Sequence, residues 1–261
     1  MKIGDFDTDS GALKNRIDLQ EKLGSFDLNQ WIFDKLNPIK GSICLDLGCG
    51  QGNQSLPLAK IIGERGSVTA LDASKESLEV LREKALKLKI NNRVKIIQSE
   101  LDDIGLYLKN IQFDYIIGSY SLYYVRDSVK IFSIIQEKLK EGGRLFFCGP
   151  SNANNMELRE LILKITGDKS ILENTIASKF MEYESQVICS GLFQDVEVFS
   201  FNNPINFKTP ESVVSYWRSH NLYKANYDLL FEKEILKHFE IYGQFTNTKR
   251  GIGISCKKHN S

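Results

Sequence analysis

Leu45-Asp46-Leu47-Gly48-Cys49-Gly50-Gln51-Gly52-Asn53-Gln54 is the stretch from which the fold can be read. It closes an apolar run, Ser42-Ile43-Cys44-Leu45-Asp46-Leu47, of the kind that forms a parallel strand buried on both faces. Three glycines at alternate positions let the backbone turn tightly and approach a ligand without side-chain clash. A helix starting near Gln54 presents free N–H groups to the same space. A dinucleotide fingerprint, Gly-x-Gly-x-x-Gly, would put its last glycine where this chain has Asn53, and the Gly-Lys-Ser/Thr ending of a phosphate-binding P-loop is missing. The turn is therefore predicted to hold a small ligand without a pyrophosphate. A carboxylate at Asp46 would repel a pyrophosphate; it attracts a cationic group, holds the turn through water, or bonds the loop's own N–H groups.

Outward from this turn, strand and helix patterns alternate, which is the signature of βαβ units around a parallel sheet. Helices are predicted over Gln54–Ile62, Ser74–Leu88 (capped by Ser74) and Ser128–Leu139, with strands over Ser67–Leu71, Val94–Gln98, Phe113–Ser119 and Gly143–Cys148. Before the turn, Leu13–Leu36 carries apolar residues at helical spacing until Asn37-Pro38 stops it. After Pro150, helices are predicted over Met156–Ile165 and Leu172–Leu192, and a strand over Val196–Phe201 is closed by Asn202-Asn203-Pro204. Thr209-Pro210-Glu211-Ser212 starts a helix through Trp217, another covers Tyr227–Tyr242, and Gly251–Lys257 is the last strand. The expected fold is α/β: a doubly wound, Rossmann-like, seven-stranded and mostly parallel sheet. Helical insertions at about 151–192 and 205–248 form a cap on a core running over 41–261.

Composition narrows the function. Lys+Arg 34 against Asp+Glu 33 gives a formal charge of +1, so binding dominated by phosphate neutralisation is disfavoured and a nucleic-acid partner is not expected. The Lys84/Lys87/Lys89 and Arg93 set reads as a solvated helix end. No apolar run approaches the ~18 residues of a membrane span, and the first residues do not resemble a signal peptide, so a cytoplasmic chain is expected with no membrane partner. Five cysteines, an odd number with no Cys-x-x-Cys pair, read as reduced and mostly buried thiols.

Asp72 ends the second strand roughly twenty residues past the glycines, where a carboxylate chelates a ribose diol; the alternative is a helix cap, a place Ser74 fills better. With these residues in place the chain resembles the class I S-adenosylmethionine-dependent methyltransferases. Leu45 to Gly52 resembles that family's glycine-rich motif, and Val68-Thr69-Ala70-Leu71-Asp72-Ala73-Ser74 its second-strand signature. The resemblance implies S-adenosylmethionine as cofactor, with S-adenosylhomocysteine as product and no metal. It implies that Gly48 and Gly50 give close backbone approach, Asp46 helps place the amino group, Asp72 binds the ribose and Ala73 packs beside the adenine. In Gln98-Ser99-Glu100-Leu101, Glu100 matches the family's adenine-contacting acid and Leu101 the residue after it. Ser99 stands for the usual Gly and Glu100 for Asp, and Asp102 or Asp103 would serve as alternatives to Glu100. Phe113 to Leu122 resembles the fourth-strand motif, so Ser119 and Tyr120 border the methyl donor. Residues 1–40 are, by the same resemblance, a helical lid; otherwise they pack through Phe26, Trp31 and Phe33.

The acceptor is expected beyond strands four and five and under the insertions, because open α/β sheets bind ligands past their carboxyl ends. The Asn/Asp-Pro-Pro-Tyr/Phe stretch of enzymes that methylate adenine or glutamine amides is replaced here by Gly118-Ser119-Tyr120-Ser121. Tyr120, Tyr123 and Tyr124 either wall an apolar, aromatic or cationic substrate or fill core space. Trp217 and His220 are candidates to contact the acceptor, and His220 to take a proton, although His220 fits a surface position equally. No catalytic base is assigned, since holding nucleophile, methyl and sulfur in line supplies much of the rate. The expected activity is methyl transfer to an O, N or C atom of a natural product, cofactor or lipid precursor. The alternatives are an RNA or protein methyltransferase and a noncatalytic donor-binding sensor or partner subunit; monomer and homodimer are both left open.

Overall fold

The computed structural model of the chain describes Gly24 and residues 26–109 and 111–259. Seven strands form one sheet: β1 (Ile43–Leu47), β2 (Ser67–Asp72), β3 (Val94–Gln98), β4 (Phe113–Ser119), β5 (Leu139–Pro150), β6 (Gln194–Phe207) and β7 (Phe245–Lys257), in the order β3-β2-β1-β4-β5-β7-β6. β1 runs parallel to β2, from Ile43↔Ser67 to Leu47↔Leu71, and parallel to β4 through Cys44↔Tyr115 and Asp46↔Ile117. β7 is antiparallel to β5. The chain winds outward from β1 to β3, then returns to β4 and winds the other way. Strand order thus reverses between β1 and β4, the place where such sheets bind ligands. The fold is the doubly wound, seven-stranded, mostly parallel one expected.

β1, β2 and β4 read as continuous apolar runs because helices cover both of their faces. One face packs Leu47, Phe113, Ile116, Phe132, Phe147 and Phe180; the other packs Ile32, Leu36, Val68, Ala70, Leu81 and Phe146. The helices end where their caps dictate. Ser74 accepts from the Ser77 N–H and starts Lys75–Lys87; Asp127 accepts from Lys130 and starts Ser128–Lys138; Thr209 accepts from Ser212, with Pro210 at the first helical position.

Five expectations need correction. The last strand, β7, begins at Phe245 rather than Gly251. A helix does start at Leu28 and end at Leu36, but Asp27 caps it by accepting from Gln30 N, so no single helix spans Leu13–Leu36; residues 13–23 and Ser25 lie outside the described residues. β5 begins at Leu139 rather than Gly143, since a register shift between Phe113 and Tyr115 absorbs the two glycines. β6 runs through Asn202-Asn203-Pro204 to Phe207; it is last in the strand order, a place where a strand tolerates proline, and Ile205 beside Pro204 bridges Gly24. Leu172–Leu192 is an α-turn at Ile176–Lys179, a π-turn at Phe180–Glu184 and a helix at Ser185–Leu192.

The chain divides into two compact units. One comprises residues 27–151, 176–200 and 251–261, and holds β1 to β5 whole. The other comprises residues 152–175 and 201–250 with those before 27, and has its own core. There Trp217, 1% exposed, stacks on Phe231 with ring centroids 4.0 Å apart, among Phe207, Val213, Tyr216 and Ile235. Truncating Trp217 to alanine is expected to destabilise this unit by about 3–5 kcal/mol, read as a lowered urea midpoint.

Candidate functional site

The turn after β1 sits at the reversal of strand order, and its backbone is closed on itself. The Gly48 and Cys49 N–H groups both donate to Leu71 O, at 2.8 and 3.0 Å, and the Gly52 N–H donates to Cys49 O. Gly50 N–H donates to Asp72 Oδ2 at 2.7 Å, while Asp72 Oδ1 accepts from Ser74 N at 2.8 Å. Asp72 therefore ties the end of β2 to the glycine turn. The two glycines do different jobs. Gly48 has φ +71°, and a Cβ on it would lie 2.3 Å from Ser121 Cβ, so its close approach is to the segment after β4. Gly50 has φ +50°, and a Cβ there would meet nothing within 4 Å among the described residues.

Asp46 is completely buried. The Ser55 hydroxyl donates to its Oδ2 at 2.5 Å, whereas Oδ1 has no hydrogen-bond partner among the described residues. Burial pushes its carboxyl up from 3.8 to about 7; the Ser55 bond opposes this and the negative charge of Asp72 adds to it. Among the described residues, no group of three or more His, Cys, Asp or Glu side chains is placed to hold a metal ion.

The other expected site residues of this unit cluster at the same end of the sheet. Ala73 is exposed, with its carbonyl accepting from Gln98 Nε2 at 3.3 Å. Ser99 N–H donates to Asp72 O, leaving the Glu100 side chain exposed beside half-buried Leu101. Asp102, the alternative to Glu100, is engaged by Arg126, whose N–H donates to Oδ1 at 2.9 Å and whose Nε lies 3.5 Å from Oδ2. Ser119 Oγ lies 3.5 Å from Cys148 Sγ, and all five cysteines are buried free thiols. Tyr120 is half-buried; the Tyr123 and Tyr124 rings lie 4.6 Å apart, with Tyr124 exposed.

Trp217 and His220 belong to the other unit. Trp217 is in its apolar core, and His220 is nearly buried, with Nε2 3.2 Å from Asn155 Nδ2 and Nδ1 accepting from Leu222 N at 3.3 Å. His220 is therefore no surface residue. Three polar groups at the turn went unread in the sequence: Ser55 on Asp46, Ser121 donating to Leu47 O at 2.6 Å, and Asn29, which donates to Asn53 O and accepts from Gln54. Only Ser55 had a local signal, at the first turn of the helix that follows the glycines. Lys84, read as a solvated charge, reaches Gln51 at 3.4–3.5 Å.

A parallel sheet ordered β3-β2-β1-β4-β5-β7-β6, with an antiparallel β7 and a glycine turn at the reversal, is the class I methyltransferase architecture. A sequence profile described as a methyltransferase domain matches residues 39–195, more than half of the chain, and the chain belongs to that family. Aklanonic acid methyltransferase DauC of Streptomyces sp. strain C5 is 29% identical over 119 residues, 46% of this chain and 53% of that protein. Demethylmenaquinone methyltransferase of Listeria monocytogenes is 33% identical over 115 residues, 44% and 47% of the two chains. The chain thus spans about half the length of the curated relatives it matches. Among solved structures, Bacillus YcgJ aligns at TM-score 0.58 with 18% identity, covering 89% of this chain and 98% of that one. A SAM-dependent methyltransferase from Aquifex aeolicus aligns at 0.53 with 14% identity, covering 95% and 96%.

Two outcomes follow from the turn. Asp46 binds a proton in the folded chain up to pH about 7 but in the unfolded chain only below about 4, so its contribution to stability is full below pH 4 and is lost as pH rises to 7. Three units correspond to about 4 kcal/mol as an upper bound, and urea midpoints of Asp46→Asn against the parent should converge toward low pH and separate, in the variant's favour, across pH 4–7. Gly48→Ala is expected to cost more than about 2 kcal/mol of stability by the same measurement, while Gly50→Ala costs about 1.

Proposed function

We propose that this chain transfers a methyl group from S-adenosylmethionine to a small-molecule acceptor. The observation that carries the reading is the buried Asp46 carboxylate, one oxygen of which has no hydrogen-bond partner among the described residues. A buried carboxylate lacking a partner is costly, and a cationic ligand group supplies both the charge and the hydrogen bond it lacks. The turn supports the same choice. Its Gly48, Cys49, Gly50 and Gly52 N–H groups already have acceptors in the protein, so they are not offered to a diphosphate.

The residues present fit S-adenosylmethionine. Asp46 would hold the donor's ammonium group, the open face of Gly50 would admit it against the backbone, and Asp72 would accept from the ribose hydroxyls with lone pairs its two N–H partners leave free. Ala73, Glu100 and Leu101 would surround the base, and Ser119 would border the sulfur. When bound, the donor supplies an electrophilic methyl on a sulfonium. The protein's part is to align the acceptor beyond β4 and β5 and to keep water out, which suffices for displacement when nucleophile and methyl are held in line. The named relatives act on small molecules, which supports an acceptor of that class.

Calorimetry with S-adenosylmethionine, S-adenosylhomocysteine, NAD and FAD is the test. Uptake of the two sulfur nucleosides and not of the dinucleotides is expected, with S-adenosylhomocysteine formation on an acceptor panel. Dinucleotide uptake alone would refute the reading, and donor uptake without turnover on any acceptor would make the chain a sensor. Asp72→Ala is expected to weaken S-adenosylhomocysteine binding by about 1–3 kcal/mol.

A further inference from the structure

The segment Tyr120-Ser121-Leu122-Tyr123-Tyr124 is seated on three glycines of neighbouring strand ends. A Cβ on Gly48 would lie 2.3 Å from Ser121 Cβ, one on Gly118 2.9 Å from Leu122 Cγ, and one on Gly149 3.0 Å from Tyr123 Cε1 and 2.9 Å from Met181 Cγ. Two hydrogen bonds fasten it: Ser121 Oγ donates to Leu47 O at 2.6 Å, and Tyr120 N–H donates to Cys148 O at 2.8 Å. Between these anchors Tyr120 has φ +58°. A left-handed backbone is disfavoured for an aromatic residue and persists only where its surroundings over-determine it, commonly at functional sites. Its ring is half-buried against the apolar cluster that contains Cys49 and Cys148. The tilted Tyr123–Tyr124 ring pair follows within the same turn, and Met181, from a π-turn of the kind often found at functional sites, backs it.

We propose that Tyr120 is the acceptor-positioning residue, and that the acceptor presents a planar aromatic ring to the Tyr120 side chain. Ring against ring gives offset or edge contacts that orient a flat molecule as well as bind it. The inference rests on the methyl-transfer reading and adds to it the acceptor's chemical class.

Tyr120→Gly is the informative variant, because glycine adopts φ +58° freely and only the ring is lost. The probe is 1-naphthol, followed by saturation-transfer NMR on the full chain saturated with S-adenosylhomocysteine. Parent and Tyr120→Phe are expected to bind naphthol equally within about threefold. Tyr120→Gly is expected to bind it at least about tenfold more weakly, each variant being measured below its thermal midpoint and at a concentration of S-adenosylhomocysteine that saturates it. Absence of naphthol binding to the parent, or equal binding by the glycine variant, would each overturn the proposal. Failure of the parent to bind S-adenosylhomocysteine would instead remove the reading beneath it.

Discussion

No atom larger than hydrogen fits on the Cα of Gly48 on the side facing Ser121, and the rest of the site depends on that contact. Gly48 follows β1 and Ser121 follows β4, the two strands between which the winding of the sheet reverses. Ser121 takes the Leu47 carbonyl, while Leu71 O receives the N–H groups of Gly48 and Cys49, so the turn is fastened to β2 on one side and to the segment after β4 on the other. The glycine conformation is thus demanded first by the protein's own packing. The room it leaves for a ligand lies one step further on, at Gly50.

This arrangement has an electrostatic consequence. A turn that spends its N–H groups on protein carbonyls and on Asp72 loses the concave array of donors that makes other glycine loops bind phosphate. What remains is acidic: Asp72 at the end of β2, and buried Asp46, whose Oδ1 has no hydrogen-bond partner among the described residues. Burial makes the ionised form of Asp46 expensive, and the negative charge of Asp72 adds to that cost. A cation entering such a site reverses the sign of the balance, because it removes the repulsion and fills the missing hydrogen bond together.

The central strands were legible because burial on both faces leaves an unbroken apolar run bounded by glycine or charge: β3 and β4 have the predicted limits, and β2 adds only Asp72. The outer strands were not. Pro204 and the glycines at 142 and 143 are breakers in a central strand but tolerable at an edge or a register shift, and nothing local in the sequence says which position a strand will occupy. The geometry of the glycine turn was legible for a related reason. Asp46, Gly50 and Asp72 stand at backbone positions fixed by strand ends, so their spacing carries the arrangement. Ser121 reaches a carbonyl 74 residues away and Asn29 one 24 residues away, contacts that no spacing rule anticipates.

Side chains remote from the glycine turn read ambiguously for a different reason. An aromatic on an amphipathic helix, with a histidine just past its end, has the same pattern whether it faces a ligand or packs inward; in this structure Trp217 lies in the apolar core of its unit and His220 contacts Asn155. The tyrosines of 120–124 show the reverse. Their sequence suits simple packing, yet one is held left-handed and another is exposed. Ordinary core tyrosines relax into favoured backbone wells, since packing energy is available without strain. A strained tyrosine at the reversal of strand order implies a ring direction that mattered more than the backbone energy lost to it.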